Sequence, residues 1–450
     1  AFEKNGFSFD AGPSLFTQPQ FIEELFSIAG EDIQEYFAYI KTPLACRYFY
    51  EDGSVINAWA NANKFAEEVQ LTIGADGDAI IKYLSDSKEL YDNTGTIFLE
   101  HSLHRTDTIF KIPWIKAIRT AGIKYLFKTM HQINAGSFTD KRVIQLFDRY
   151  ATYNGSSPYQ APAMLCMIPH LEINLGTYYP AGGMIAITQA LYKLAVKKGV
   201  QFYFNADVQR IAYSLEKVSG IILSGEFAPA DIVVSNADVY YTYKNLLDDS
   251  AGAAKLLKQE RSSSAVVFYW GISKEFTGLD LHNIFFSADY KEEFDHLFHK
   301  ATIYHDPTVY INITSKCEPG IHAPAGKENW FVMINAPCNS SQNWKEVVIE
   351  LRSAVIAKLN RMLKTNMQDY IESETILDPP GIDAATASFM GALYGTSSNY
   401  KKSAFLRHPN FSSSIKGLYF AGGSVHPGGG IPLCLQSAKI ACELIKKDMY

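Results

Sequence analysis

Over Gly417–Ile445 an apolar run, a glycine-dense bend and a helical pattern follow one another, and this succession constrains the chain more than any other feature. Leu418, Tyr419, Phe420 and Ala421 read as a short buried strand. Five glycines then fall within the nine residues Gly422–Gly430. Beyond Pro432 the period becomes helical, with Leu433, Ile440, Leu444 and Ile445 available for one apolar face. A strand that enters a helix through such a bend brings backbone N–H groups and the positive helix end close to an anion. Pro432 suits the first helical turn, where a missing N–H costs nothing. A tight turn alone accounts for two or three of the glycines; five point to a cofactor or phosphate role. The pattern is not the Gly-x-Gly-x-x-Gly dinucleotide fingerprint.

A chain of 450 residues allows two or three domains around sizeable cores. Its net charge of −6 gives no reason to expect nucleic acid. The abundance of aromatic residues, 13%, fits a heavy core and also a wide apolar pocket. Six scattered cysteines without a C-x-x-C pair point to a reducing compartment and no disulfide framework. No run of 18 apolar residues is present, so no membrane span is expected. The chain opens without Met in what reads as a hairpin, Phe2, Phe7 and Phe9 around Asn5-Gly6. The expectation is a fragment that lacks an N-terminal segment.

After Asp10–Ser14 a helix is expected over Pro19–Ala29, then a hairpin turning at Asp52-Gly53, then mostly helix over 63–130. From Asp107 to Asp140 there is no intervening acid, while Lys116, Arg119, Lys124 and Lys128 oppose an apolar face of Trp114, Ile115, Ile118, Ala121 and Tyr125. An ordinary surface helix and a helix lying on an anionic membrane both fit this pattern. A capped helix follows Thr139, and Tyr178–Met184 opens another that runs to Lys198. Strands are expected at Val200–Phe204, Val208–Tyr213, Val218–Leu223, Asp231–Asp238, Ala265–Gly271, Thr308–Thr314 and Trp330–Ala336, with a long helix at Trp344–Leu363. This order is that of an α/β nucleotide domain continuing after an insertion.

Other constellations are weak. His101 and His104 beside Glu100 lack a third ligand, so no metal is expected. His170-Leu-Glu172 matches half of a zinc-deaminase signature whose Pro-Cys half is missing. No Gly-x-Ser-x-Gly elbow is present to anchor a hydrolase triad. Asp140, Asp148, Arg149 and His170 remain as acid–base candidates, each as readily explained by a cap or an ion pair.

Phe7–Ser14, Tyr179-Pro-Ala-Gly-Gly183, Val234-Ser-Asn-Ala-Asp-Val239 and Gly417–Pro432 together resemble the bacterial-type carotenoid desaturases, in order and across essentially the whole chain. Phe147–Ser156 and Ser262–Trp270 resemble the branch acting on the 3,4 bond of hydroxylated carotenoids. The resemblance implies an α/β (α+β) fold: a discontinuous Rossmann-like FAD domain with an inserted sheet-plus-helix substrate domain. The expected partition is 1–16, 176–245 and 411–450 for FAD, 17–70 and 260–410 for substrate, and a helical membrane-facing part at 71–165. It implies that Ala11, Gly12 and Pro13 lie near the flavin ring, Val208 near the adenine, and Asn236, Ala237 and Asp238 along the cofactor. Gly422, Gly423, Ser424, Gly430, Ile431 and Pro432 are expected on the ribityl chain and pyrophosphate. Asp140 stands where relatives carry an acid for the proton step, and Arg149 with Tyr153 is expected to face a hydroxylated end group. The implied activity is FAD-dependent dehydrogenation of a C–C bond in a carotenoid, by a cytoplasmic protein held on the inner membrane face through residues 109–130. A flavin-dependent carotenoid isomerase and a non-catalytic carotenoid-binding remnant fit the same motifs.

Overall fold

The computed structural model describes residues 1–102, 104–105, 125, 127–400 and 407–449. Most of the basic stretch at 109–130 therefore lies outside the described residues.

A seven-stranded sheet forms the largest element. Its order is Ile371–Leu377, Ser264–Ile272, Glu328–Ala336, Val309–Asn312, His282–Phe285, Leu44–Phe49 and Val55–Trp59. Only His282–Phe285 and Leu44–Phe49 run parallel; the other neighbours are antiparallel. Strand residues alternate between faces. Phe268, Trp270, Ile311, Trp330 and Val332 therefore pack under helix Trp344–Leu363 through Leu351, Val355 and Leu359. The opposite face carries Tyr48, Ile284, Tyr269, Tyr310 and Phe331 and is covered twice. Helices Gly77–Glu100 and Lys141–Asp148 lie over one part of it, while the Phe2–Lys4/Phe7–Phe9 hairpin lies over the other. Tyr310 packs against both covers and so marks the seam between them.

The hairpin turns at Asn5 and Gly6, both with positive φ, as an Asn-Gly pair favours. It is seated by Phe7, whose ring fills the space left by Gly271; a Cβ there would come 2.5 Å from it. The second hairpin likewise turns at Gly53, φ +82°. The remaining strands are small and local. Phe16–Thr17, Thr177–Pro180 and Tyr39–Lys41 form one sheet, the strands around Val208–Ser214 a second, and Val233–Ser235 pairs in parallel with Leu418–Phe420.

Helices form at Gln20–Ile28, Ile185–Lys197 and Trp344–Leu363, in line with the sequence pattern. One expected strand does not form. Residues 200–204 carry no strand, and Val200, Phe202, Tyr203 and Phe204 are exposed. Their backbone has no strand partner among the described residues, and the rings of Phe202 and Phe204 lean on Tyr192 instead. A strand needs a neighbour as well as an apolar sequence. Asp231–Asp238 shortens to Val233–Ser235 for a different reason: Asp238 turns out of the strand to cap a helical turn, accepting from Tyr240 N at 2.8 Å.

Candidate active site

Strands Val233–Ser235 and Leu418–Phe420 end side by side, and both of their continuations carry the residues expected to hold a cofactor. Ala421 N donates to Ser235 O at 3.1 Å, carrying the parallel pairing into the bend. Gly422 has φ +111°, and a Cβ on it would collide with Asn236 Oδ1. Only glycine allows the two segments to come this close. Val239 N donates to Ser424 Oγ at 3.0 Å, and Asp238 is held by Arg261 at 2.6 Å. The bend is tied internally by buried Asn410, whose Nδ2 donates to His426 O at 2.8 Å and to Ser437 Oγ at 2.9 Å. Gly422 N in turn donates to Ser437 Oγ at 3.1 Å. Gly430, φ +107°, faces open space, with no atom within 4 Å of a Cβ built there. It leads directly into helix Ile431–Met449, with Pro432 second in the helix. Val208 packs beneath the bend with Leu418, Phe420 and Val425.

The second segment of the expected set is Asp10–Ser14. Asp10 accepts from Met184 N at 2.8 Å and Ile185 N at 3.1 Å, so it caps helix Ile185–Lys197 from a distant part of the chain. This holds Ala11, Gly12 and Pro13 as an exposed loop beside the Tyr179–Gly183 turn. Met184, Ile187 and Ile431 share one apolar cluster. Ile431 thereby joins the first segment to the second. The structure thus brings together the elements that carry Ala11, Gly12, Pro13, Asn236, Ala237, Asp238, Gly422, Gly423, Ser424, Gly430, Ile431 and Pro432.

One residue of this region was missed. Arg407 is buried against Gly423 and Gly428, donates to Tyr394 O at 2.6 Å, and has no carboxylate partner among the described residues. Burial, with Arg261 nearby, lowers its pKa to about 10. A buried guanidinium with only neutral partners is a site that favours an anion.

Arg149 lies elsewhere, under the helical cover of the large sheet. Its Nη2 donates to Tyr48 Oη at 2.6 Å and to both oxygens of Glu172 at 2.9 Å. Tyr150 donates to Glu172 Oε1 at 2.9 Å, and Tyr153 donates to Oε2. Burial alone would raise the Glu172 pKa; the Arg149 charge and these phenols outweigh it and hold the carboxyl below its usual value. Glu172 sits on a widened turn, His170–Leu175, closed by Gly176 N donating to Leu171 O. Glu172 of His170-Leu-Glu172 is thus the carboxylate of a buried ion pair. The signal was in the sequence: Glu172 is the one charged residue in the stretch 162–176.

Asp140, expected as the acid of the proton step, stands at the start of a helix. It is the N-cap of helix Lys141–Asp148, accepts from Arg142 N at 2.8 Å, and pairs with the Arg142 side chain at 2.7 Å. Arg142 also reaches Asp52. The Arg142 side chain holds the Asp140 carboxyl below its usual value, and both its oxygens are engaged. Asp148 is buried between His131 and Asn134, at 2.7 and 2.8 Å.

The seam at Tyr310 links the two regions. Ser14, at the end of the exposed loop, shares a 2.9 Å hydrogen bond with Tyr310 Oη, which also lies 2.8 Å from His282 Nδ1. The Arg149–Glu172 pair acts electrostatically on both Tyr310 and His282.

The flavin-containing amine oxidoreductase profile matches residues 123–446. A 1-hydroxycarotenoid 3,4-desaturase of Flavobacterium sp. is 49% identical over 445 residues, covering 99% of this chain and 91% of its own. A 4,4'-diapolycopene oxygenase of Methylomonas sp. is 32% identical, covering 99% and 90%. A phytoene desaturase of Fusarium fujikuroi is 30% identical, covering 99% and 82%. Among solved structures, an oxidoreductase from Methanosarcina mazei superposes with TM-score 0.62 at 13% identity over 99% of this chain and 90% of that one. A redesigned putrescine oxidase superposes with TM-score 0.57 at 11% identity over 96% and 87%. These last two speak to the fold alone.

Proposed function

The chain belongs to the flavin-containing amine oxidoreductase family and, within it, to the carotenoid desaturases, and from that premise we propose that it desaturates the 3,4 bond of a 1-hydroxylated carotenoid with FAD as its flavin. The observation that carries this reading is the contact of Ser14 with Tyr310, where the loop expected beside the flavin meets the apolar face of the sheet.

The residues present fit such a cofactor. Gly430 leaves room where a side chain would stand, the first-turn amides of helix Ile431–Met449 face the bend, and Arg407 supplies a buried positive charge. Gly422, Gly423, Ser424, Gly430, Ile431 and Pro432 would hold the ribityl and phosphate portion, with Asn236, Ala237 and Asp238 alongside. Ala11, Gly12 and Pro13 would lie against the ring, and Val208 toward the adenine. The chemistry a bound flavin supplies is acceptance of a hydride from carbon. The chain's own work is positioning. Tyr310 and Met333, both only half-buried, offer a long polyene an apolar surface on the sheet face beside the loop. Asp140 enters as a helix cap, and Glu172 with Arg149 as a fixed charge pair that sets the polarity at one end of this surface.

A lipid-soluble substrate must be collected from a bilayer, so we place the protein on a membrane surface on the cytoplasmic side. Among the described residues no helix is long and apolar enough to cross a membrane. The basic stretch at 109–130 is the expected contact. Replacing Lys116, Arg119, Lys124 and Lys128 with Gln is expected to weaken flotation with anionic vesicles; unchanged flotation removes this contact from the proposal.

Separate incubations with phytoene and with a 1-hydroxylated carotenoid test the activity. The expected product is the hydroxylated carotenoid with one more conjugated double bond, seen as a red-shifted absorption. A product with an unchanged number of double bonds and altered geometry would favour an isomerase, and a colourless protein that takes up no FAD would end the flavin reading.

A further inference from the structure

His282 ends the seam with a donor that nothing in the protein uses. Its ring is buried, 3% exposed, on the sheet face that also bears Tyr48 and Tyr310. Asn312 Nδ2 donates to Leu281 O at 3.1 Å, which fixes the orientation of that amide, and the same nitrogen lies 3.2 Å from His282 Nδ1. An amide nitrogen has only protons to offer, and Tyr310 Oη, 2.8 Å from the same Nδ1, can donate to it while accepting from Ser14, so Nδ1 accepts. In the neutral ring the proton then resides on Nε2. Burial keeps the ring neutral, lowering its pKa to about 4. Nε2 is buried and has no partner among the described residues; neither has Arg149 Nε, in the adjoining cluster. Leaving a buried donor unpaired costs free energy, and native proteins rarely tolerate it without a ligand or water to complete it.

A buried N–H with nothing to donate to is the complement of an oxygen acceptor. Its position selects which oxygen. On a carotenoid oxidised at its 3,4 bond, a hydroxyl on C1 lies only two carbons from C3. The group that binds it must therefore sit beside the flavin loop, not at the remote end of a long apolar passage. His282 meets that condition through Tyr310, which contacts Ser14. We infer that His282 Nε2–H receives the oxygen of the substrate's 1-hydroxyl and so fixes which carbon–carbon bond lies over the flavin. His282 is in this role a specificity residue, and the inference rests on the function proposed above.

The test compares two carotenoids that differ only in the 1-hydroxyl, each assayed with the flavin-loaded enzyme and with variants of His282. In wild type the hydroxylated substrate is favoured in kcat/KM. His282→Leu is expected to reduce that preference by about tenfold or more, through the hydroxylated substrate, with flavin absorbance retained. His282→Gln, which restores an N–H near the Nε2 position, is expected to recover most of it. Should His282→Leu fail to accumulate, His282→Asn is read the same way, since it keeps a polar group toward Asn312 and removes the one at Nε2. An unchanged preference, or an equal loss on both substrates, overturns the inference and means that Nε2–H serves an ordered water or the packing only; the proposed activity survives either result. A wild type that accepts both equally also overturns the inference. A wild type that desaturates neither removes the proposed function first, and the role of His282 with it.

Discussion

The glycine bend and the Arg149–Glu172 cluster solve opposite problems. At the bend the groups proposed to hold a cofactor are backbone amides of consecutive residues, and Gly430 has open space where a side chain would stand. In the cluster the functional groups are side chains gathered from Tyr48, Arg149, Tyr150, Tyr153 and Glu172, and every contact is made within the fold. The first is left open at Gly430. The second is closed, apart from the unpaired donors at Arg149 Nε and His282 Nε2. A site built from backbone is written in consecutive residues, whereas a site built from side chains is assembled by topology.

The largest effect that separates them is expected at Glu172. Glu172→Leu leaves the Arg149 charge buried without its counterion and should cost about 3–5 kcal/mol in denaturant unfolding, whereas Arg149→Leu combined with it should recover most of the loss. A cost under about 1 kcal/mol would mean that water already reaches the pair. Next comes Gly422→Ala. It forces a Cβ onto Asn236 at φ +111° and should cost about 2–3 kcal/mol, with loss of bound flavin absorbance as the distinguishing sign. Stability lost without flavin loss would demote the bend to a structural turn.

Acid titration reaches both regions. Burial lowers the pKa of His282, in the seam, and of His408 and His426, at the bend, to about 4. The unfolded chain has these groups near 6.5, so between pH 6.5 and 4 it binds more protons than the folded one. Stability is therefore full above pH 6.5 and falls as pH drops through that window, by about 3 kcal/mol per histidine. Tm measured from pH 7 to 4 checks this, and a flat profile contradicts it. Comparing His282→Leu with His426→Leu divides the loss between the regions. The smallest effect is expected at Asp140→Asn, which keeps a capping oxygen and weakens the Arg142 pair, for about 0.5–1 kcal/mol. Turnover falling far more than stability would return Asp140 to the chemistry.

Several elements were legible because their signals are local. Asn5-Gly6 and Asp52-Gly53 formed the expected hairpins, and Trp344–Leu363 formed the expected helix, since turn chemistry and period act within a few residues. Val200–Phe204 failed because strand formation depends on a neighbouring strand that the pattern does not specify. Glu172 and His282 were passed over because neither is close in sequence to its partners. Glu172 meets Arg149 across 23 residues, and His282 meets Tyr310 across 28. Arg407 escaped for the same reason: it reaches the bend from outside the motif that announces it.

By itself, then, the sequence determined the backbone features of this protein, the bend, its helix and the turns that seat them, because conformational preference is a property of neighbouring residues. Its likeness to the carotenoid desaturases lies in those same contiguous motifs. The tertiary structure alone decided which polar side chains face one another across the apolar sheet, which acid is a cap and which an ion pair, and where a donor is left open. Those outcomes depend on burial and distance, which arise only when remote segments pack.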